Sequence, residues 1–423
     1  MLATPSKHNR IRAAAALLIC YGLVGCAPSG AAPFSTPHGA TGGVCRAEES
    51  QRFGLALPDG DPLYVEPQAI HPIEGGFLIA GAPTYEWRFA SDGSVTRVND
   101  ERFVGAFVRN GTVQTVDKPQ GLRSVGWVRL APLGADRWAW LLQEVKREGD
   151  RTETTRIVYA ESQGGQWTTS EDLIVPPGGQ LHFPTSSPLT ASGRGVAWVV
   201  PFHADDRTIG AMLYERVGGT WSFRSVAEDW IDEVALFPAP NGGLRVGVGG
   251  LDEDHEYQRV SLRILPEGGR DARAERVFVA EPGDRVRSIR AMDTGPNVAT
   301  SWLVVGRGES VQWALWGRRE TTSKPLVVDP SAITSVSVVT PDEITLIVTH
   351  HVEDETSLQE LRVHHLGPTG APVIAALPHP FLGYFTAVSA EPGEVTVVGP
   401  EFDPRAAHPF VRSLVLRLSI SCT

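Results

Sequence analysis

Beyond residue 44 the apolar residues of this chain fall in short runs, almost never at the i, i+3, i+4 spacing of a helix. The most apolar runs are Gly76 to Ala80, Trp138 to Leu142, Val196 to Val200, Leu244 to Val248, Trp302 to Val305, Ile344 to Val348 and Val395 to Val398. They are rich in β-branched and aromatic residues, and each follows a turn with glycine, proline or acidic residues and, before that, another short strand. The runs recur every roughly 45 to 62 residues, and a period near 50 with about four strands per unit is the signature of a β-propeller. The pattern therefore predicts an all-β fold of seven four-stranded blades, with six or eight as the neighbouring counts. A pair of β-sandwiches is the alternative.

The repeat is clearest where Tyr159 to Trp167 is set beside Tyr214 to Trp221. Both segments place a tyrosine on one strand, then a Gly-Gly turn (Gly164-Gly165, Gly218-Gly219), then a tryptophan opening the next strand. The glycines supply the positive φ that a tight hairpin demands. Elsewhere the turn is looser, as in Leu265 to Gly269 and Leu366 to Gly370. The final unit starts near Tyr384 and has room for only three strands before Thr423. Its missing outer strand is expected from the N-terminal stretch Val44 to Leu57. One blade built from both chain ends would remove the open edges of the ring and put Cys45 beside Cys422. A disulfide there requires Cα atoms within about 7 Å.

The four cysteines also bear on where the chain resides. Lys7, Arg10 and Arg12 precede an apolar segment, Ala13 to Val24, too short for the roughly 20 residues of a spanning helix and suited to a signal peptide. It ends in Leu23-Val24-Gly25-Cys26, which resembles the bacterial lipobox; an ordinary signal peptide that contains a cysteine is the alternative. The resemblance implies cleavage after residue 25 and acyl chains on Cys26, and two or more such chains make a stable membrane anchor. In a Gram-negative bacterium, Ala27 in place of an aspartate after the cysteine implies the outer membrane. Residues 26–43, rich in Ala, Pro, Gly, Ser and Thr, then read as a flexible tether and 44–423 as the folded body. Export would expose Cys45 and Cys422 to an oxidising compartment.

Charge narrows the partners. The chain has 38 basic and 49 acidic side chains, and loss of residues 1–25 leaves 35 against 49, a net −14. Such a body is soluble and self-repelling, an unsuitable partner for nucleic acid and an expected monomer.

In a propeller the loops between second and third strands emerge on one face, the usual place for ligands. Here they read Lys146 to Arg151, His203 to Arg207, Asp252 to Glu256, His350 to Glu355 and Glu401 to Arg405. Histidines flank the acidic residues in three of them. Either these are ordinary solvated loops, or they form an acidic rim for a cation or a basic partner. Oxygen-rich clusters suit Ca²⁺, and Asp252, Asp254, His255 and Glu256 are the metal candidates. No cofactor is otherwise expected, because no metal-ligand spacing of recognised type occurs. Trp138 and Trp140, alternating with Leu142, and the pair Trp313 and Trp316 read as packing between blades in preference to a sugar-stacking platform.

The Gly-Gly-x-Trp turns resemble degenerate Asp-boxes, the structural hairpins of sialidase-like propellers: Ser162, Gly165 and Trp167 are kept and the aspartate is missing. That resemblance makes a carbohydrate-active propeller enzyme the alternative function, but no spacing marks paired carboxylates or the arginine cluster and tyrosine nucleophile of sialidases, and no Gly-x-Ser-x-Gly elbow is present. In anchor and plan the chain is similar to the lipoprotein propeller that accompanies the outer-membrane β-barrel assembly machine, although that family's Asp-x-x-Thr-Gly-x-x-x-Trp blade motif is absent. The similarity implies an interaction scaffold at the outer membrane, docking a protein or a polysaccharide.

Overall fold

The computed structural model describes residues 45–58, 60, 63, 65–83, 85–89, 95–99, 103–148, 151–174, 180–181, 189–192, 195–204, 207–227, 231–238, 244–251, 257–265, 273–279, 288–292, 301–307, 310–316, 324–326, 333–339, 346–352, 359–365, 373–378, 386–388, 393–402 and 410–422. The expected signal peptide and tether lie outside these residues.

Every extended element among them is a β-strand, and the strands form successive antiparallel sheets. The first sheet comprises Val65–Ile73, Gly76–Pro83, Phe103–Arg109 and Thr112–Asp117. The second comprises Val125–Gly134, Arg137–Glu148, Arg151–Gln163 and Gln166–Asp172. The third pairs Leu189–Ser192 and the short Gln180–Leu181 with Gly195–Ala204, followed by Arg207–Val217 and Thr220–Ala227. The fourth is Ile231–Pro238, Leu244–Leu251, Tyr257–Leu265 and Arg273–Val279. The fifth is Ser288–Met292, Ser301–Arg307, Ser310–Trp316 and Lys324–Leu326. The sixth is Ile333–Val339, Leu346–Val352, Gln359–His365 and Val373–Pro378. The seventh runs Thr386–Val388, Glu394–Phe402 and Phe410–Cys422, and its outer strand is the N-terminal Cys45–Gly54.

In each sheet the strand expected to be most apolar is the second one, and the reason is visible in the packing. Along Arg137–Glu148, Trp138, Trp140 and Leu142 face the first sheet and pack with Leu78, Ala80 and Phe107. Ala139 and Leu141, pointing the other way, pack with Val196, Trp198 and Val200 of the third sheet. A strand buried on both faces loses polar alternation and reads as a continuous apolar run. The same holds in the seventh sheet: Val395 and Val397 pack toward the sixth sheet, and Val398 toward the first. Trp138 and Trp140 are core, as the sequence reading has it, while the side chains of Trp313 and Trp316 lie outside those described; Trp140 is fully buried, and its indole N–H donates to Ser162 Oγ at 2.8 Å.

The first strands of neighbouring sheets adjoin. That of the first sheet touches those of the second and seventh, that of the third touches those of the second and fourth, and the fourth–fifth and sixth–seventh pairs meet likewise. Four-stranded antiparallel sheets set face to face with their first strands together fit a β-propeller. The two chain ends meet in the seventh sheet, where Cys45 lies opposite Cys422 in register and is joined to it by a disulfide with the Cα atoms 4.0 Å apart.

Among the described residues the structure adds to the expected plan the short strand Gln180–Leu181 in the third sheet and a hairpin in the first. Between the second and third strands of the first sheet, Tyr85–Phe89 pairs with Val95–Asn99 as a separate two-stranded hairpin. The signal was present in the sequence: two alternating runs flank Asp92-Gly93, a strong hairpin dipeptide.

Candidate functional site

Strand direction divides the molecule into two ends. At the turn end lie the connections from first to second and from third to fourth strands, such as Glu74-Gly75, Asn110-Gly111 and Gly164-Gly165. At the hairpin end lie the connections from second to third strands and the links from sheet to sheet. The turn ends of the first two sheets are on the same side, because Arg109 Nη2 reaches Asp136 Oδ1 at 2.8 Å and Gly164 N–H donates to the Asp136 carbonyl at 3.0 Å.

At the hairpin end a backbone irregularity recurs. In the second, third, fourth, fifth and seventh sheets, among the described residues, the third strand carries one extra residue against the second near this end. Bulges of this kind bend a strand and re-aim its side chains. In the second sheet the extra residue is Thr155, and the first strand bulges beside the same position, between Val125 and Trp127.

Between those two bulges sits Glu144, only 8% exposed. Its carboxylate accepts from the Arg123 backbone N–H at 2.6 Å, from Thr155 Oγ1 at 3.1 Å and from Arg156 Nε at 3.0 Å. Burial alone would raise its pKa; these three donors and the Arg156 charge outweigh it and hold the group below its usual range. Arg156 continues the network, donating to the Gly121 carbonyl at 2.7 Å and approaching Asp172 at 3.4 Å. The link between the first two sheets is thus clamped to the hairpin end of the second. The seventh sheet repeats the central pair: Arg412, directly opposite Glu401, bonds it at 2.7 Å. Chemically, these are neutralised ion pairs that fix loop bases.

The loops singled out from the sequence are shorter than expected. Lys146, Arg147 and Glu148 belong to the second strand and Arg151 to the third, leaving only 149–150 between them. His203 lies within the strand Gly195–Ala204, Arg207 opens the next, and His350 and His351 lie within Leu346–Val352. Glu401 is likewise a strand residue. Long hairpins whose strands pair almost to their tips explain the difference, since cross-strand register continues through polar residues once the apolar part has set it. Asp252, Asp254, His255 and Glu256 lie outside the described residues, as do Asp205, Asp206 and the segments 353–358 and 403–409. Among the described residues no group of three His, Cys, Asp or Glu side chains is placed to hold a metal.

A second polar cluster joins the second and third sheets near their outer edges. Tyr159 donates to Glu161 Oε1 at 2.8 Å, and Arg216 bonds both Glu161 (3.2 Å) and Glu171 (2.7 Å) while its guanidinium lies 4.8 Å from the Tyr159 ring centroid. Trp221 Nε1 donates to Glu171 at 3.1 Å and packs edge-on against Tyr159. A tyrosine beside a glutamate and an arginine has the composition of a nucleophile site, but Tyr159 is 0% exposed and burial with the Glu161 bond drives its pKa upward. It is held protonated and out of reach of a substrate, which makes the cluster a clamp between sheets. Trp167 acts in the same way one sheet earlier, donating to the Asp117 carbonyl at 2.8 Å and packing edge-on against Trp140.

No protein-family model matches the chain, and no curated protein matches it. Among solved structures, a protein of unknown function from Dyadobacter fermentans is similar at 14% identity, over 82% of this chain and all of that one, with a TM-score of 0.48. The Dos1 propeller is similar at 12% identity, over 88% and 95% of the two chains, with a TM-score of 0.47. The Trypanosoma rangeli sialidase is similar at 10% identity over 79% of this chain and 57% of its own, with a TM-score of 0.38.

Proposed function

We propose that this chain is an exported, lipid-anchored β-propeller of seven blades, closed by its own two ends, that serves as a binding scaffold for a protein or polysaccharide at the outer membrane. The observation that carries the reading is the Cys45–Cys422 pairing: a bridge across 377 residues, seated in strand register, suits a chain that folds in an oxidising compartment. Export in turn gives the segment before Cys45 its role, with Cys26 as the acylated residue and residues 27–43 as the tether. The seven second strands and the adjoining first strands favour a seven-bladed ring. A binding role is favoured over chemistry because the carboxylates described at the hairpin end are spent on structural ion pairs, and the tyrosine–glutamate–arginine cluster is a buried clamp.

The test is the intact mass of the protein extracted from membranes, with and without reduction and beside Cys26→Ala. Acyl chains on Cys26 and a gain of two protons on reduction are the expected result. An unacylated chain with both thiols free would remove the anchor and the closure together.

A further inference from the structure

We infer that the outer edge between the second and third sheets is a glycan site, shaped for a neutral sugar residue that offers an apolar face and two adjacent hydroxyls. The inference rests on the binding role proposed above and commits it to a polysaccharide. Directly opposite residues of an antiparallel pair share a face of their sheet. In the third sheet Arg216 lies opposite Trp221 and Tyr214 opposite Phe223, and in the second sheet Tyr159 lies opposite Glu171. These faces are turned toward each other, since Arg216 bonds Glu171 and Trp221 packs edge-on against Tyr159. Phe223 continues the aromatic row, its ring centroid 5.6 Å from that of Tyr214.

Exposure rises toward the rim of this cluster. Tyr159 and Tyr214 are buried and Trp221 is half-buried, but Phe223 is 42% exposed and the Glu171 side chain 40%. The clamp also leaves bonding capacity unused. Glu171 takes both Arg216 Nε and Trp221 Nε1 on Oε1, so among the described residues its Oε2 accepts from none. Arg216 donates through Nε and Nη1, and its Nη2 donates to none of them. The ion pair therefore holds a spare carboxylate oxygen and a spare guanidinium nitrogen close together. Two neighbouring hydroxyls of a sugar satisfy such a pair, one donating to the carboxylate and the other accepting from the guanidinium. The C–H face of the same sugar would lie on the exposed ring of Phe223.

The corresponding edge between the first and second sheets lacks these features. There Ser162 stands opposite Trp167, is buried, and accepts from Trp140, while the Trp167 indole is spent on the Asp117 carbonyl. Charge selects a neutral ligand, because Glu161 and Glu171 already balance Arg216 and the body carries a net −14 that repels anions. A few fixed polar groups beside an aromatic ring suit one sugar residue, whereas a stable protein interface needs about 800 Å² on each partner.

The test applies the purified protein to an array of immobilised neutral oligosaccharides, built of hexose, deoxyhexose and N-acetylhexosamine, beside acidic ones. The affinity for the retained glycan is then compared in Phe223→Ala, Glu171→Gln and Val373→Ala, with thermal unfolding as the check on folding. Val373 is 48% exposed on the outer strand of the sixth sheet and serves as the control. The expected result is retention of a neutral glycan, weakened about fivefold or more by Phe223→Ala and about tenfold or more by Glu171→Gln, and unchanged in Val373→Ala. Phe223 decides the matter alone if Glu171→Gln unfolds. Retention that survives the Phe223 substitution, or retention of acidic glycans only, overturns the site. An empty array overturns the glycan; acyl chains on Cys26 by intact mass would then leave the anchored scaffold standing, with a protein as its partner.

Discussion

His71 is a buried side chain with much to lose in acid. It is 5% exposed on the first strand of the first sheet, donates from Nε2 to the Leu130 carbonyl at 3.1 Å, and lies against Trp138 with ring centroids 5.7 Å apart. Burial lowers its pKa from 6.5 to about 4, the carbonyl bond opposing only in part. The unfolded chain thus takes up a proton near pH 6.5 that the folded protein refuses until about pH 4. Stability is complete above pH 6.5 and is lost between those values, in total by about 3 kcal/mol. Urea midpoints at pH 7 and pH 4.5 should diverge in the native protein and converge in His71→Gln; an unchanged pH dependence in that variant would remove His71 as the cause. Glu144 acts in the same direction for a different reason, since its folded pKa is lowered and its contribution fades as acid protonates it. Glu144→Gln keeps the shape but loses the charge opposite Arg156, and a loss of about 1 to 3 kcal/mol in chemical denaturation is expected. Neither residue stood out in the sequence, where one histidine before Pro72 and one glutamate within an apolar strand carry no pattern. Their roles come from the neighbouring sheet, which no local spacing records.

At the scale of elements the sequence was far more legible. The seven apolar runs fall on second strands, and where both faces are described, as in the second and seventh sheets, those strands are buried on each side and read as continuous apolar runs. The Gly-Gly turns hold the positive φ their composition implied, 57° and 84° at Gly164 and Gly165 and 59° and 85° at Gly218 and Gly219. Asn110 and Gly111 repeat it with 49° and 78°, so asparagine serves where the side chain can accept that conformation. Nothing lies within 4 Å of a Cβ built on Gly164, which isolates backbone strain from packing. Gly164→Ala should therefore cost about 1 to 2 kcal/mol and Gly164→Asn clearly less, by thermal denaturation. Equal costs would mean that the turn relaxes to another conformation. The hairpin loops were the poorest guide, since polar residues read the same whether they close a loop or continue a paired strand.

For the whole molecule the question is what keeps the N-terminal strand in place. As the outer member of the seventh sheet, Cys45–Gly54 has a hydrogen-bonded neighbour on one side only, and most of its side chains are exposed. Its apolar hold is slight: Ala47 enters the core between the sixth and seventh sheets, and Phe53 packs at the margin of the core shared with the first. Ser50, at the bulge, adds one bond to the Arg417 carbonyl at 3.2 Å. Without the disulfide, this strand would have little free energy opposing its local opening. A Cys45→Ser, Cys422→Ser double variant should lose about 2 to 4 kcal/mol against global unfolding. Amide hydrogen exchange should quicken first from Glu48 to Phe53, while Val395 to Val398, buried in the same sheet, keep their protection relative to the global value. Exchange that quickens equally through all sheets would show that the bridge restrains the unfolded chain alone. Loss confined to the strand would mean that it latches the two ends locally.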